Sequence, residues 1–497
     1  MSQAPAAQAK ALLDAGRAQA ALDLVGAAAA APDASAEVLA LHGRALRALG
    51  RDHEASLSLR RQVRRDPSAR IGWYNLGAAL GDLGDAAGAE QALREALRLG
   101  LDRPEVHLVL GRALTVQQRY DDATQAFEAA LARNPSYPDA HRDLAQLTWM
   151  RTGDAAAVER RLDAAMTGGP ADAALLRVKA VVRQFAGDLP GAVALLEDAV
   201  ARTRHPALTV DLVALKVEAG QGDAAMALSR GLLAAAPDVT PVLEAHAQAC
   251  LAAGQAAEAL RVAERLRARD PLDQMAILLQ STALRLLGDP RAEALVAPDR
   301  FVRAHRLPTP DGWPDLDAFL ADLAVSLRRL HDARAHPLQQ SLRGGTQAQS
   351  LLASDDPAIR AFFVSAHKVV DDHIAWLGRG DDPVRARIGD RGGRIKAAWS
   401  VRLRPHGFHV NHFHPQGWLS SAFYVETPAA AVDAGDRQGW LAFGEPAWPT
   451  KPPLAAQHHL RPEPGALALF PSYMWHGTVP FTTDETRMTI AFDVVPG

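Results

Sequence analysis

Trp73-Tyr74-Asn75-Leu76-Gly77-Ala78-Ala79-Leu80-Gly81-Asp82-Leu83-Gly84 decides the fold, because its small residues recur at a fixed step along the chain. Moving 34 residues at a time from Gly77 meets Gly43 and Ala9 on one side and Gly111 and Ala145 on the other. Ala21, Ala55, Ala89, Ala123 and Ala157 keep the same step. Gly16, Gly50 and Gly84 fall between the two series, where a turn joins two helices. The register slips near position 180 and resumes: Gly220, Gly254 and Gly288 are 34 apart, as are Ala225 and Ala259, and Pro237 and Pro271. A repeat of this length is one helix pair. Its small residues let the two helices approach closely, while Leu and Val at three- and four-residue spacings form the stripe that each pair buries against the next. The array is expected to cover residues 1–295.

At 497 residues the chain exceeds a single core, so two or more units are expected. Acids outnumber bases by only three, 57 against 54, which points away from a nucleic-acid partner. Cys250 is the only cysteine. It excludes an intrachain disulfide and a thiolate cluster, suits a reducing compartment, and reads most simply as a buried small apolar residue in a helix. Any metal must therefore use His and carboxylates. Met1-Ser2-Gln3-Ala4-Pro5 lacks the basic flank and apolar run of a secretory signal, and no stretch approaches the ~20 apolar residues of a membrane span. A soluble, cytoplasmic protein with no membrane partner is expected.

Trp73-Tyr74-Asn75-Leu76-Gly77 with Ala89 and Ala96, and Gly111, Tyr120, Ala123, Phe127, Ala130 and Pro135, resemble the tetratricopeptide repeat. The resemblance covers about three-fifths of the chain. It implies a right-handed superhelix whose concave face commonly holds a protein or peptide partner. The alternative is an arm that only spaces or dimerises the remainder, and the pattern does not address oligomeric state.

Past about residue 295 the beat stops and Pro290, Pro298, Pro308, Pro310 and Pro314 accumulate. Seven of nine Trp and twelve of eighteen His lie beyond residue 300, so the metal-competent side chains gather where the repeat is absent. Leu316 to Leu330 and Pro357 to Leu377 carry helical spacing. After Lys396 the pattern becomes short strands, expected near Ala397–Arg404, Trp418–Glu426, Trp440–Phe443, Ala466–Phe470, Gly477–Pro480 and Arg487–Val495. The expected architecture is multidomain. An all-α repeat superhelix (1–295) leads through a linker with helices (296–395) to a double-stranded β-helix of the jelly-roll or cupin kind (396–497).

His406-Gly407-Phe408-His409-Val410-Asn411-His412-Phe413-His414-Pro415 holds four histidines. Side chains two apart on an extended backbone share a face, so His412 and His414 can reach one ion while Phe413 points away. In the last strand Met488, Ile490, Phe492 and Val494 form one apolar face and leave Arg487, Thr489, Ala491 and Asp493 on the other. An inward Arg calls for an anion. Its planar fork fits a carboxylate, and the Thr489 hydroxyl can add a hydrogen bond. The competing reading is a salt bridge from Arg487 to Asp484 or Glu485.

The HxHP element, Gly465-Ala466-Leu467-Ala468-Leu469-Phe470-Pro471 with Trp475-His476-Gly477, and Arg487-Met488-Thr489 together resemble the Fe(II)/2-oxoglutarate-dependent oxygenases. Within that superfamily the chain looks like bacterial, prolyl-hydroxylase-like members that follow tetratricopeptide repeats. Trp399-Ser400-Val401-Arg402-Leu403-Arg404, Gln340-Ser341-Leu342-Arg343-Gly344-Gly345-Thr346-Gln347 and Ser420-Ser421-Ala422-Phe423-Tyr424-Val425 extend the likeness over residues 337–497. The resemblance implies Fe(II), 2-oxoglutarate and O2, with His412 and His476 as ligands and Arg487 with Thr489 on the distal carboxylate. His414 stands where most relatives carry a carboxylate, so it either completes a three-histidine face or orients a water. Tyr424 and Trp399 are candidates to line the cosubstrate pocket, against simple core packing. His406, His409, His458 and His459 read as surface or supporting histidines.

The implied reaction is hydroxylation of an unactivated C–H bond, on a protein or peptide held by the repeat arm. The alternatives are a non-catalytic scaffold with a metal-stabilised barrel, a cupin-type metalloenzyme without keto acid, and a structural zinc site.

Overall fold

The computed structural model describes residues 3–497 other than 167, 170, 171 and 434, so Met1 and Ser2 lie outside the described residues. Two compact units are present: Met1–Leu147 with Asp163–Leu175, and Thr148–Leu162 with Leu176–Gly497.

The first unit is helical, running in antiparallel pairs such as Ala36–Ala48 with Asp52–Arg65, Arg70–Asp82 with Ala86–Arg98, and Pro104–Val116 with Tyr120–Arg133. The reason for the 34-residue beat is visible at Gly111, where a Cβ would lie 2.5 Å from the Phe127 ring. Gly77 and Gly43 stand in the same relation to Leu93 and Leu59, each at 2.6 Å. Ala21, Ala55, Ala89 and Ala123 are fully buried. The turn glycines Gly16, Gly50 and Gly84 have φ of 72°, 70° and 80°, the left-handed conformation that closes a helix. Gln118, 34 residues after Gly84, takes the same turn with φ 59° without being Gly.

Further along the chain helical pairs run through Asp172–Phe185, Leu189–Thr203, Pro206–Glu218, Gly222–Ala235, Thr240–Ala252, Ala256–Arg269 and Gln274–Leu287. Gly187, Gly220, Gly254 and Gly288 again turn left-handed. The step from Gly187 to Gly220 is 33 residues, where the following two are 34, which locates the slip read from the sequence.

Among the described residues nine strands follow: β1 Arg303–Arg306, β2 Leu342–Ala348, β3 Gly393–His409, β4 Leu419–Glu426, β5 Leu441–Phe443, β6 His458–Leu460, β7 Ala466–Pro471, β8 His476–Thr478 and β9 Arg487–Pro496. They form a six-stranded sheet, β1-β7-β4-β9-β3-β2, and a three-stranded sheet, β6-β5-β8, with antiparallel pairing throughout. Helices Leu316–Arg328 and Pro357–Leu377 occupy the two stretches of helical spacing. The longer one covers the outer face of the large sheet, where Phe362 meets Phe423 at 4.7 Å and Phe492 at 6.3 Å between ring centroids. Asp356 caps its N-terminus by accepting from the amides of Ala358 and Ile359.

Six strands lie where alternation placed them, with shifted ends. β3 is longer at both ends than Ala397–Arg404. The segment expected at Gly477–Pro480 pairs as His476–Thr478, since β5 offers three residues and Pro480 has no N–H to donate. β1, β2 and β6 were not foreseen.

Candidate metal and cosubstrate site

His412 and His476 face each other as an antiparallel bridge, each amide donating to the other's carbonyl at 2.8 and 3.0 Å. Two residues on, the His414 amide donates to the Ser472 carbonyl at 2.8 Å. This short ladder points His412, His414 and His476 to one side. It sends Phe413 to the other, where it meets Trp475 edge-on with centroids 5.8 Å apart. The His476 side of the ladder is anchored from the helical array: Trp475 Nε1 donates to Thr282 Oγ1 at 3.1 Å and the Tyr473 hydroxyl to the Leu295 carbonyl at 2.7 Å.

One ring nitrogen from each of His412, His414 and His476 lies within 4.8 Å of the others. Each ring is held from behind through Nδ1. His412 Nδ1 lies 3.0 Å from the Val410 carbonyl, His476 Nδ1 2.9 Å from the Met474 carbonyl and His414 Nδ1 2.6 Å from Asp493 Oδ1. A carbonyl oxygen only accepts, so Nδ1 of His412 and His476 carries the proton and Nε2 keeps its lone pair. Burial holds the His412 pKa down at about 3 and pushes His476 well below the ordinary imidazole range. All three rings thus suit a metal. Imidazoles without thiolates match a borderline divalent ion such as Fe(II).

These rings open into a cavity of about 670 Å³. β9 contributes Arg487, Thr489, Ala491 and Asp493 to its wall, while Met488, Ile490, Phe492 and Val494 on the opposite face are fully buried in the core. Arg487 is 2% exposed. Its Nη1 donates to Thr478 Oγ1 at 2.8 Å and to the Gly439 carbonyl at 3.3 Å, and its Nε has no partner. Among the described residues no carboxylate pairs with it. Glu485 instead accepts from the Ala430 amide at 3.0 Å and the Thr483 hydroxyl at 3.1 Å. The alternative of a salt bridge to Asp484 or Glu485 is overturned, because β9 turns Arg487 inward while both acids precede the strand. Burial lowers the guanidinium pKa. A buried cation without a charge partner is costly to keep out of water.

Thr489 is buried on the same face, one strand position pair from Arg487. Tyr424 does not line the cavity. It is fully buried with its ring centroid 5.1 Å from the Arg487 guanidinium carbon and its hydroxyl unpartnered. Trp399 lines the wall beside His414, centroids 5.5 Å apart.

Of the two places expected for His409, the surface or a supporting position beside another imidazole, it takes the second. It faces the cavity and stacks on His412 at 5.9 Å, and Ser341 Oγ sits between them, 3.0 Å from His409 Nδ1 and 3.2 Å from His412 Nε2. The cause is a bulge: β2 and β3 shift register between Arg343 and Gly345, where Gly344 at φ 65° passes within reach of Gly407. His406, in the bulge, is exposed. The outer wall of the cavity comes from repeat helices, through Gln184 and Glu218, and Ala214 and Gln248, each pair 34 residues apart. Gln184 Nε2 donates to Glu218 Oε2.

Residues 397–493 match the family model described as "Putative 2OG-Fe(II) oxygenase", and residues 40–104, 74–138 and 108–175 match the tetratricopeptide repeat. A curated relative, "Cellulose synthase operon protein C" of Xanthomonas axonopodis pv. citri, is 33% identical over 235 residues, 45% of this chain. The chain spans about 15% of the length of that relative. Solved structures with similarity include a tetratricopeptide repeat protein from Parabacteroides merdae (19% identity, TM-score 0.37, 50% of this chain and 98% of that one). Another is MamA from Desulfovibrio magneticus RS-1 (19%, 0.31, 33% and 92%). Among the described residues no helix is long and apolar enough to cross a membrane.

Proposed function

We propose that this repeat-bearing chain is a 2-oxoglutarate-dependent oxygenase that hydroxylates an unactivated C–H bond of a polypeptide. The observation that carries the reading is one cavity holding both three converging imidazoles and a buried Arg487 without a counter-ion. In this reading residues 1–295 recruit the substrate, 296–395 lead in, and 396–497 form a double-stranded β-helix whose two sheets enclose the site.

His412, His414 and His476 would hold Fe(II) through Nε2, the nitrogen each leaves unshared with its backing acceptor. When bound, the metal with 2-oxoglutarate and O2 supplies oxidative decarboxylation to succinate and CO2, coupled to placing one oxygen atom in a C–H bond. Arg487, with Thr489 beside it, would receive the distal carboxylate of the keto acid. A flat guanidinium with spare donors fixes both the position and the direction of a dicarboxylate. Tyr424, outside the cavity, supports the guanidinium through its ring. Phe470 and Trp399 keep the inner wall apolar, which excludes water from the reacting carbon.

The polypeptide substrate is supported by the outer wall. Gln184, Glu218 and Gln248, on the repeat helices Asp172–Phe185, Pro206–Glu218 and Thr240–Ala252, place amide and carboxylate groups beside the opening. Such a row can bond the alternating donors and acceptors of an extended chain and direct it to the metal. The test is succinate release by the full chain with Fe(II), 2-oxoglutarate and fractionated peptides, followed by a search for a product one oxygen heavier. Peptide-independent rates throughout would remove the polypeptide from the proposal.

A further inference from the structure

The direct donors converging in the cavity are three imidazoles and no carboxylate, so a divalent ion held there would meet no anionic side chain in its first ring of ligands. A carboxylate is nevertheless close. Asp493 Oδ1 lies 2.6 Å from His414 Nδ1 and also accepts from the Ser420 hydroxyl at 2.8 Å, while Ser420 Oγ lies 2.9 Å from Ser472 Oγ. Among the described residues no Lys or Arg pairs with Asp493, and the ionisable group that bonds it is His414. The arrangement spans 79 residues and joins β9 to the His412–His414 ladder. Ser472 links the same cluster to that ladder, since its carbonyl accepts from the His414 amide.

We propose that Asp493 is the positioning carboxylate of the metal centre, supplying from behind His414 the negative charge that the site lacks among its direct donors. The inference rests on the three-histidine reading above. Asp493 accepts the Nδ1 proton, fixes His414 in the tautomer that turns Nε2 to the cavity, and strengthens that nitrogen as a donor. His412 and His476 have only backbone carbonyls in the corresponding place, so His414 is the one ligand set up in this way. A carboxylate moved one bond outward explains how a His can stand at a position where a direct acid would otherwise provide charge.

The experiment is titration of the metal-free full chain with Co(II) alone, read by its visible absorption. Asp493→Asn keeps an oxygen for Nδ1–H and removes the charge; the expected result is Co(II) binding weaker by about 10- to 100-fold. In a His414→Ala background, Asp493→Asn is expected to change the affinity less than about threefold, since the carboxylate acts through that ring. Unchanged Co(II) affinity in Asp493→Asn, or an equal loss in both backgrounds, overturns the proposal. If the wild-type chain binds no Co(II), or His412→Ala and His476→Ala bind it as wild type does, the three-histidine reading itself fails, which is a different outcome. Should Asp493→Asn not fold, the wild-type chain labelled with ¹⁵N-histidine decides. His414 protonated at Nδ1 and bare at Nε2 supports the proposal, and the opposite tautomer overturns it.

Discussion

Replacing Arg487 by Met separates a binding role from a structural one. In the unliganded chain the buried guanidinium carries a desolvation cost of several kcal/mol. Against it stand one charge-assisted bond to Thr478, ~1.5–3 kcal/mol, and the ring of Tyr424, ~1–2 kcal/mol. The contact with Gly439 at 3.3 Å adds little, and Nε has no partner. These terms nearly cancel, so Arg487→Met should alter stability by no more than about 1 kcal/mol and the melting temperature by about 3 °C or less. The effect on 2-oxoglutarate should be far larger. A two-point carboxylate contact at ~1.5–3 kcal/mol per bond amounts to a loss of roughly 10²- to 10⁴-fold in affinity. Thermal melts with Co(II), with and without keto acid, read both quantities. Wild type should gain ~2.7 kcal/mol when the keto acid is at 100 times its Kd, and the variant should gain nothing. A variant that loses more than about 3 kcal/mol without ligand would make Arg487 a structural residue, beyond the range a neutral exchange permits. A variant that keeps the full ligand shift would refute the carboxylate clamp.

Three further outcomes follow from the same geometry. Burial holds His331 and His336 at about 4 and His373 at about 3, below the ordinary value near 6.5, so the unfolded chain takes up these protons first. Stability is then full above pH ~6.5 and declines as pH falls toward 4, by up to ~1.4 kcal/mol per pH unit per histidine, a trend that denaturant midpoints at two pH values will detect or exclude. Gly111→Ala drives a methyl into the Phe127 ring, where the ideal Cβ lies at 2.5 Å, and should cost ~1–3 kcal/mol in urea unfolding. An unchanged midpoint would mean that the helices can part without cost. Glu218→Leu should raise the KM for a peptide substrate about tenfold, the equivalent of ~1.4 kcal/mol, while leaving the Kd for 2-oxoglutarate unchanged; equal effects on both would place Glu218 in the inner site.

The repeat was legible because its cause is local: Gly43, Gly77 and Gly111 each face one side chain sixteen positions on, and that geometry recurs with the chain. The inward face of β9 was legible for the same reason, since alternation is a property of the strand alone. β1 and β6 were not, being four and three residues of His, Arg, Ala and Leu whose pairing is imposed by β7 and β5. β2 carries Gly344 and Gly345 and a bulge, which erases its period. Tertiary placement also hid the parts of the site that depend on distant partners. His409 reaches the cavity only through the bulge, and Asp493 meets His414 only after β9 is in place. Tyr424 was read as a candidate to line the pocket, and the sequence had no means of showing that Arg487 lies over its ring.

The central claim, that three histidines and Arg487 together hold Fe(II) and a keto acid, is tested most directly by anaerobic titration of the full chain with Fe(II) and then 2-oxoglutarate. The expected result is a weak visible metal-to-keto-acid absorption that saturates at one equivalent per chain and is lost in His476→Ala and Arg487→Met. Fe(II) binding with no such band in the wild-type chain would contradict it.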